Sequence, residues 1–275
     1  MSNRDHPQKD RVAGLFDRAS DTYDTVGVDF FAPLAASLVA HARLQPGESV
    51  LDLGTGRGAA LKAAAYAVGP TGEVLGIDLA PGMVARTSSD VAHLSHVTVL
   101  PGDADDPPTR EGGWDVALAA FVLFFLPDPV GAAERIRAVL RPGGRFALST
   151  FDAPDERWKV VEAVVSPYWP PSDEVVQPAS RSHFSSTAAV EALLGEAGFV
   201  EVETVLIEHV NVYRDVQQWL DWTWSAGARA IWERVPASDL TSAQAAAVEA
   251  LAALAEPDGT LRERFQVRLT RASAP

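Results

Sequence analysis

The sequence has no cysteine, which excludes disulfides, thiolate-bound zinc and a thiol nucleophile. It also has no apolar run long enough to span a membrane. Positive charge is scarce, with 23 lysines and arginines against 37 aspartates and glutamates and a net charge of −14. That balance argues against gripping nucleic-acid phosphates or inserting into an anionic membrane, and reads as a solvated acidic surface. The opening MSNRDHPQKDR is polar with no apolar run behind it, unlike a signal peptide, so a cytoplasmic location is expected. Residues 1 to about 10 are expected to form a disordered leader. His, Asp and Glu do not gather at ligand spacing, and no metal is expected. Over 275 residues, a 47% hydrophobic and 22% charged composition describes a globular domain with additions.

Against this background one stretch stands out, Val50-Leu-Asp-Leu-Gly-Thr-Gly-Arg-Gly58. It reads as a buried strand, a glycine turn and the start of a helix that runs to Gly69-Pro70. That combination suits the approach of a nucleotide cofactor to backbone amides. Strands and helices then alternate. Strands are predicted at 73–78, 97–100, 114–121 and 145–150, with helices from about Pro81 to His93 and from Asp128 to Leu140. Alternation of this kind predicts a doubly wound α/β fold around a mostly parallel seven-stranded sheet. Its last two strands, 199–212 and 261–270, form an antiparallel edge hairpin with a helical cap inserted between them.

The organisation follows from this reading. Residues 1–45 are N-terminal helices over the cofactor site and 46–151 the cofactor-binding core. Residues 152–187 and 213–258 are a lid and substrate cap, and 188–212 with 259–275 complete the core. The stretch 152–185 is irregular and rich in proline and aromatics, whereas 215–235 is helical and carries four tryptophans.

Two cofactors compete for the glycine turn. Gly54-x-Gly56-x-x-Ala59, with Asp78 ending the second strand, fits a dinucleotide pattern. However, Asp52 would repel a pyrophosphate, whereas the ammonium and sulfonium of S-adenosylmethionine would favour a carboxylate there. A loop-capping role for Asp52 fits either ligand.

Further segments follow in order: Phe16-Asp-Arg-Ala-Ser-Asp-Thr-Tyr-Asp24, Ile77-Asp78, Ala80-Pro-Gly-Met83, Gly102-Asp103-Ala104, Phe121 to Pro129 and Leu140-Arg-Pro-Gly-Gly-Arg145. Together with Val50–Gly58 they resemble the class I S-adenosylmethionine-dependent methyltransferases, over about residues 11–151. Phe16 to Asp24 looks like the N-terminal element of the small-molecule branch that includes the ubiquinone/menaquinone C-methyltransferase type. The resemblance implies S-adenosylmethionine as methyl donor and S-adenosylhomocysteine as product. It places Asp52, Gly54, Thr55 and Gly56 at the methionine part and Asp78 with Leu79 at the ribose. Met83, Gly102, Asp103 and Ala104 would surround the adenine. Ala120 and Phe121 would form the floor, and Phe16 and Tyr23 would close the site from the N-terminal side. No Asn-Pro-Pro-Tyr signature is present, and Phe121 to Leu126 is wholly apolar, unlike relatives with polar residues there.

The acceptor reads as a hydrophobic or aromatic small molecule, natural-product or quinone-like, methylated on O, C or N. Trp169, His183, Trp222, Trp224 and Arg229 are its candidate contacts, and His183 is the candidate base. Burial in an ordinary cap is the competing reading for the tryptophans. An aromatic-rich cap can also serve as a homodimer surface. Two rival functions remain open on sequence grounds: a methyltransferase-like cyclase or binding protein that retains the cofactor, and an NAD-dependent oxidoreductase.

Overall fold

The structure, a computed structural model, describes residues 6–168 and 179–275. Helices α1 (Pro7–Ala19) and α2 (Phe31–Ala42) precede β1 (Ser49–Leu53), α3 (Ala59–Val68) and β2 (Glu73–Asp78). Next come α4 (Pro81–Val91), β3 (Val97–Pro101), β4 (Trp114–Ala120), α5 (Pro129–Val139) and β5 (Leu140–Phe151). The chain continues through α6 (Lys159–Val165), α7 (Thr187–Glu196) and β6 (Val200–Tyr213). Helices α8 (Val216–Ser225), α9 (Arg229–Trp232) and α10 (Leu240–Ala252) then lead to β7 (Leu261–Ser273).

The strands form one seven-stranded sheet in the order β3-β2-β1-β4-β5-β7-β6. The first five are parallel, and β7 pairs antiparallel to both β5 and β6, which is the predicted architecture. Strands β1 and β4 are mostly apolar and packed on both faces, with helices covering both. Leu51, Leu53 and Ala117 pack with Ile136 of α5 and Leu193 of α7. Val50, Val116 and Leu118 pack with Leu38 of α2 and Leu61 of α3. After β1 the chain winds outward through β2 and β3, then returns to the other side of β1 at β4. The order reverses between β1 and β4, and at such a switch point a crevice opens beyond the carboxyl ends of the strands.

Three local expectations change. The expected leader of residues 1 to about 10 is helical from Pro7, where α1 starts and whose fixed φ suits a first helical turn, and residues 1–5 lie outside the described residues. The tryptophan-rich stretch is two helices rather than one, broken at Ala226, whose backbone is extended, and at Gly227. The irregular segment after β5 contains α6 and short 3-10 turns. A third apolar cluster forms the cap, in which Val161 and Val165 of α6 meet Trp219, Trp232, Ala247, Leu251 and Tyr213. Trp219 and Trp232 are thus ordinary core residues of this cap. Among the described residues no helix is long and apolar enough to cross a membrane.

Leu118 is fully buried at the centre of the sheet. Leu118→Ala is expected to lower unfolding stability by about 2–5 kcal/mol in a denaturant titration, through lost transfer energy and the cavity left behind.

Candidate donor and acceptor chambers

The crevice holds a cavity of about 410 Å³. The turn after β1 forms one wall, with Gly54 and Gly56 at φ values of 63° and 53°, a conformation that side chains with a Cβ adopt at a cost. A Cβ at Gly54 would lie 2.6 Å from Val122, while one at Gly56 would meet nothing within 4 Å. The first glycine therefore lets the turn close on the strand-four segment, and the second leaves open space where a ligand can reach the backbone.

Two acids lie under this turn. Asp52 is 1% exposed, and its Oδ2 accepts a 2.6 Å hydrogen bond from the Thr55 hydroxyl, while Oδ1 is buried without a partner. Burial pushes its carboxyl up to about 7, with the Thr55 bond opposing and Asp78 adding like-charge repulsion. Asp78 accepts from the Gly56 amide through Oδ2 and from the Ala80 amide through Oδ1, each at 2.8 Å. Burial still holds it above the ordinary carboxylate value, against those bonds. Asp78 lines the cavity, and a carboxylate has acceptor capacity beyond these two bonds. The Tyr23 hydroxyl is also pushed up, by burial first and then by Asp78.

The two cations that line this cavity, Arg57 and Lys9, already have acid partners. Arg57 binds the Ser20 carbonyl at 2.9 Å and Asp90 at 3.0 Å. Lys9, 5% exposed, bridges Asp103 at 2.8 Å and Asp105 at 2.6 Å. Asp105 is further paired with Arg135. The Asp52 oxygen consequently marks a place where a cationic ligand group fits and an anionic one does not.

All fourteen residues assigned to the donor line this one cavity: Phe16, Tyr23, Asp52, Gly54, Thr55, Gly56, Asp78, Leu79, Met83, Gly102, Asp103, Ala104, Ala120 and Phe121. Phe121 sits just past β4 in the left-handed region, at φ 59°, and its amide donates to the Ser149 carbonyl and hydroxyl at 3.2 and 3.1 Å. A bulky residue held there carries strain, and it does so at the cavity floor. Lys9 lines the cavity too. Its signal was present in the sequence, since Lys9, Val12, Ala13 and Phe16 follow helical spacing and all four face the cavity.

A second chamber of about 950 Å³ adjoins the first. Six residues line both: Phe30, Phe124, Phe125, Phe151, Trp222 and Ala228. The rings pack on one another, with centroids 4.7 Å apart for Phe121–Phe151 and 5.8 Å for Phe30–Trp222.

Of the residues predicted to touch the acceptor, Trp222 is on this wall. Trp224 and Arg229 are turned away: the guanidinium lies 5.2 Å over the Trp224 ring and its Nε donates to Glu233 at 2.9 Å. The neighbouring acid satisfies the charge that a substrate was expected to meet. His183 is not on the wall, although its neighbours Ser182 and Phe184 are, and its Nδ1 is buried without a partner. Trp169 lies outside the described residues. His209 packs edge-on against Phe30, and burial lowers its pKa. The sequence reading missed Phe30, Phe124, Phe125, Phe151 and Phe265, which are scattered along the chain and converge only in the fold.

Comparison with known proteins adds an independent line. Residues 51–148 match the family described as a methyltransferase domain. The nocamycin O-methyltransferase of Saccharothrix syringae is 36% identical over 234 residues, or 80% of this chain and 84% of the relative. The aklanonic acid methyltransferase DauC of Streptomyces sp. (strain C5) is 38% identical over 170 residues, or 61% and 74%. The fold is shared with a crystallised methyltransferase candidate from Bacillus halodurans C-125, at a TM-score of 0.58 and 19% identity. That superposition covers 88% of this chain and 98% of the other.

Replacing Lys9 by methionine leaves Asp103 and the buried Asp105 without their ammonium partner. Lys9→Met is expected to cost about 3–5 kcal/mol in urea unfolding, as for other broken buried ion pairs, with α1 becoming the first site of limited proteolysis.

Proposed function

The chain belongs to the S-adenosylmethionine-dependent methyltransferases, and from that premise we propose that it methylates a hydrophobic or aromatic natural product held in the larger chamber. The observation that carries this reading is the pair of adjoining chambers. One is walled by glycine-turn amides and buried acids, the other by aromatic rings, and six residues serve both. The names of the two relatives, a nocamycin O-methyltransferase and an aklanonic acid methyltransferase, support it.

The donor, when bound, supplies a methyl group activated by a sulfonium. Asp52 Oδ1 would take its ammonium, the one partner that buried oxygen lacks. The Gly54–Gly56 turn would hold the rest of the methionine part, with Thr55 fixing Asp52 from the other side. Asp78 would accept from the ribose hydroxyls through its remaining lone pairs, a task suited to a carboxylate. Leu79 and Met83 would lie on the adenine, with Gly102, Asp103 and Ala104 along its edge. Ala120 and Phe121 would form the floor, and Phe16 and Tyr23 the roof. Around the transfer point the rings of Phe30, Phe124, Phe151 and Trp222 exclude water and align an apolar acceptor, which is where most of the rate of an in-line displacement arises. His183 is the proposed acid–base group by its place beside the chamber wall, and full turnover in His183→Ala removes it from the mechanism.

The acceptor class is tested by following methyl transfer from labelled donor to fused-ring aromatic metabolites and to small polar amines. Turnover is expected with the former, and turnover with the amines alone overturns the reading. Asp78→Ala should weaken donor binding by about 1–3 kcal/mol in calorimetry, from the lost hydrogen bonds.

The sign of the pH effect follows from Asp52. Its carboxyl is held near 7 in the free protein, and only the ionised form pairs with an ammonium. Protons therefore compete with the ligand below that value and not above it. Affinity for S-adenosylhomocysteine should fall as pH drops from 8 to 6, by up to about tenfold per unit below 7. A flat profile over that range removes Asp52 as the ammonium partner.

A further inference from the structure

The larger chamber is lined mostly by apolar residues, and the polar ones that face it are Thr150, Asp152, Ser182, Ser185 and Glu263. Asp152 is neutralised by Arg268, a buried guanidinium that also donates to the Phe151 and Phe184 carbonyls at 2.6 and 3.0 Å. Glu263 is different. Among the described residues it has no basic side chain in ion-pair contact, and it is held by neutral donors instead. The Tyr213 hydroxyl donates to its Oε2 at 2.6 Å, and the Asn211 amide donates to that hydroxyl oxygen at 2.9 Å. His209 Nε2 then meets Asn211 Oδ1 at 3.1 Å.

His209, Asn211 and Tyr213 alternate along one face of β6, and Asn211 stands opposite Glu263 on β7. Asn211 and Tyr213 are fully buried. This polar row fixes a carboxylate in an aromatic wall without cancelling its charge. Burial holds the Glu263 carboxyl above its ordinary value even though Tyr213 pulls the other way, which marks a charged form short of partners. A second observation points the same way: the Thr150 hydroxyl on the same wall is buried with no partner. Neither group is explained by the packing of the cap.

We infer that Glu263 is the specificity anchor of the larger chamber: it accepts a hydrogen bond from a hydroxyl on a fused-ring aromatic acceptor, with Thr150 beside it, and repels a carboxylate placed there. The inference rests on the reading of this chamber as the acceptor site. A buried group built to meet a hydroxyl discriminates strongly against an analogue that lacks one, because the anchor is then left unpaired. Against an anion, the repulsion itself sets the selectivity.

The test uses the full chain saturated with S-adenosylhomocysteine and three probes on one skeleton: 2-naphthol, naphthalene and 2-naphthoate. Quenching of tryptophan fluorescence reports their binding. In the unmodified protein 2-naphthol should bind about tenfold more tightly than naphthalene, the equivalent of one charge-assisted hydrogen bond, and 2-naphthoate should bind most weakly. Glu263→Ala should level the first two. Glu263→Gln, which keeps an accepting oxygen and loses the charge, should retain the preference for 2-naphthol and admit 2-naphthoate. Unchanged S-adenosylhomocysteine affinity in both variants shows that the fold is intact. Equal binding of 2-naphthol and naphthalene, or a preference that survives Glu263→Ala, overturns the anchor while leaving the chamber as acceptor site. Binding of none of the three overturns both.

Discussion

The structure depends on a buried carboxylate, Asp52, that among the described residues has no ion-pair partner. Asp52 and Asp78 end adjacent parallel strands, and each is held by donors that carry no charge: a threonine hydroxyl for one, two backbone amides for the other. Keeping such groups out of water costs several kcal/mol unless partners are supplied. The sheet meets that cost by rigidity. Strands β1 and β4 are packed from both faces, which fixes the strand end that carries Asp52 and the turn that follows it. A site of this kind is complementary to a positively charged ligand before the ligand arrives.

The larger chamber, the proposed acceptor side, follows a different logic. Its wall is assembled from the entry to α2, the segment after β4, the ends of β5, β7 and α8, and its cohesion comes from rings. Phe30 touches Phe31, Phe121, Phe151, Trp222, Phe265 and the His209 ring. Such packing is strong and weakly directional, so it fixes a cavity's shape more than its chemistry. Direction is supplied by a few polar groups set into the apolar surface.

This contrast explains how much could be read from the sequence. The smaller cavity, the proposed donor site, was legible because its parts are local: each strand end, turn and helix start is a short contiguous signal, and the fold brings them to one cavity. The larger chamber was not. Its phenylalanines lie far apart in the chain, and nothing in the neighbourhood of Phe30 or Phe265 marks them as partners. The tryptophans misled in part, because composition cannot tell a cap's core from a cavity's wall; Trp219 and Trp232 went to the core, Trp224 to Arg229, and Trp222 to the wall. Lys9 was lost for another reason. Its polarity suggested a leader, while its helical spacing with Phe16 assigned it to the cavity.

The six residues common to both chambers bear on how this scaffold can diversify. A change at Phe30, Phe124, Phe125, Phe151, Trp222 or Ala228 alters donor and acceptor pockets together, so selection on a new acceptor is opposed there by the need to keep the old donor. Positions that face the larger chamber alone, among them Thr150, Pro154, Phe184, Glu263 and Phe265, escape that opposition. On the proposed reading they are the free alphabet of the fold, in which a lineage can rewrite what it methylates without touching what it methylates with.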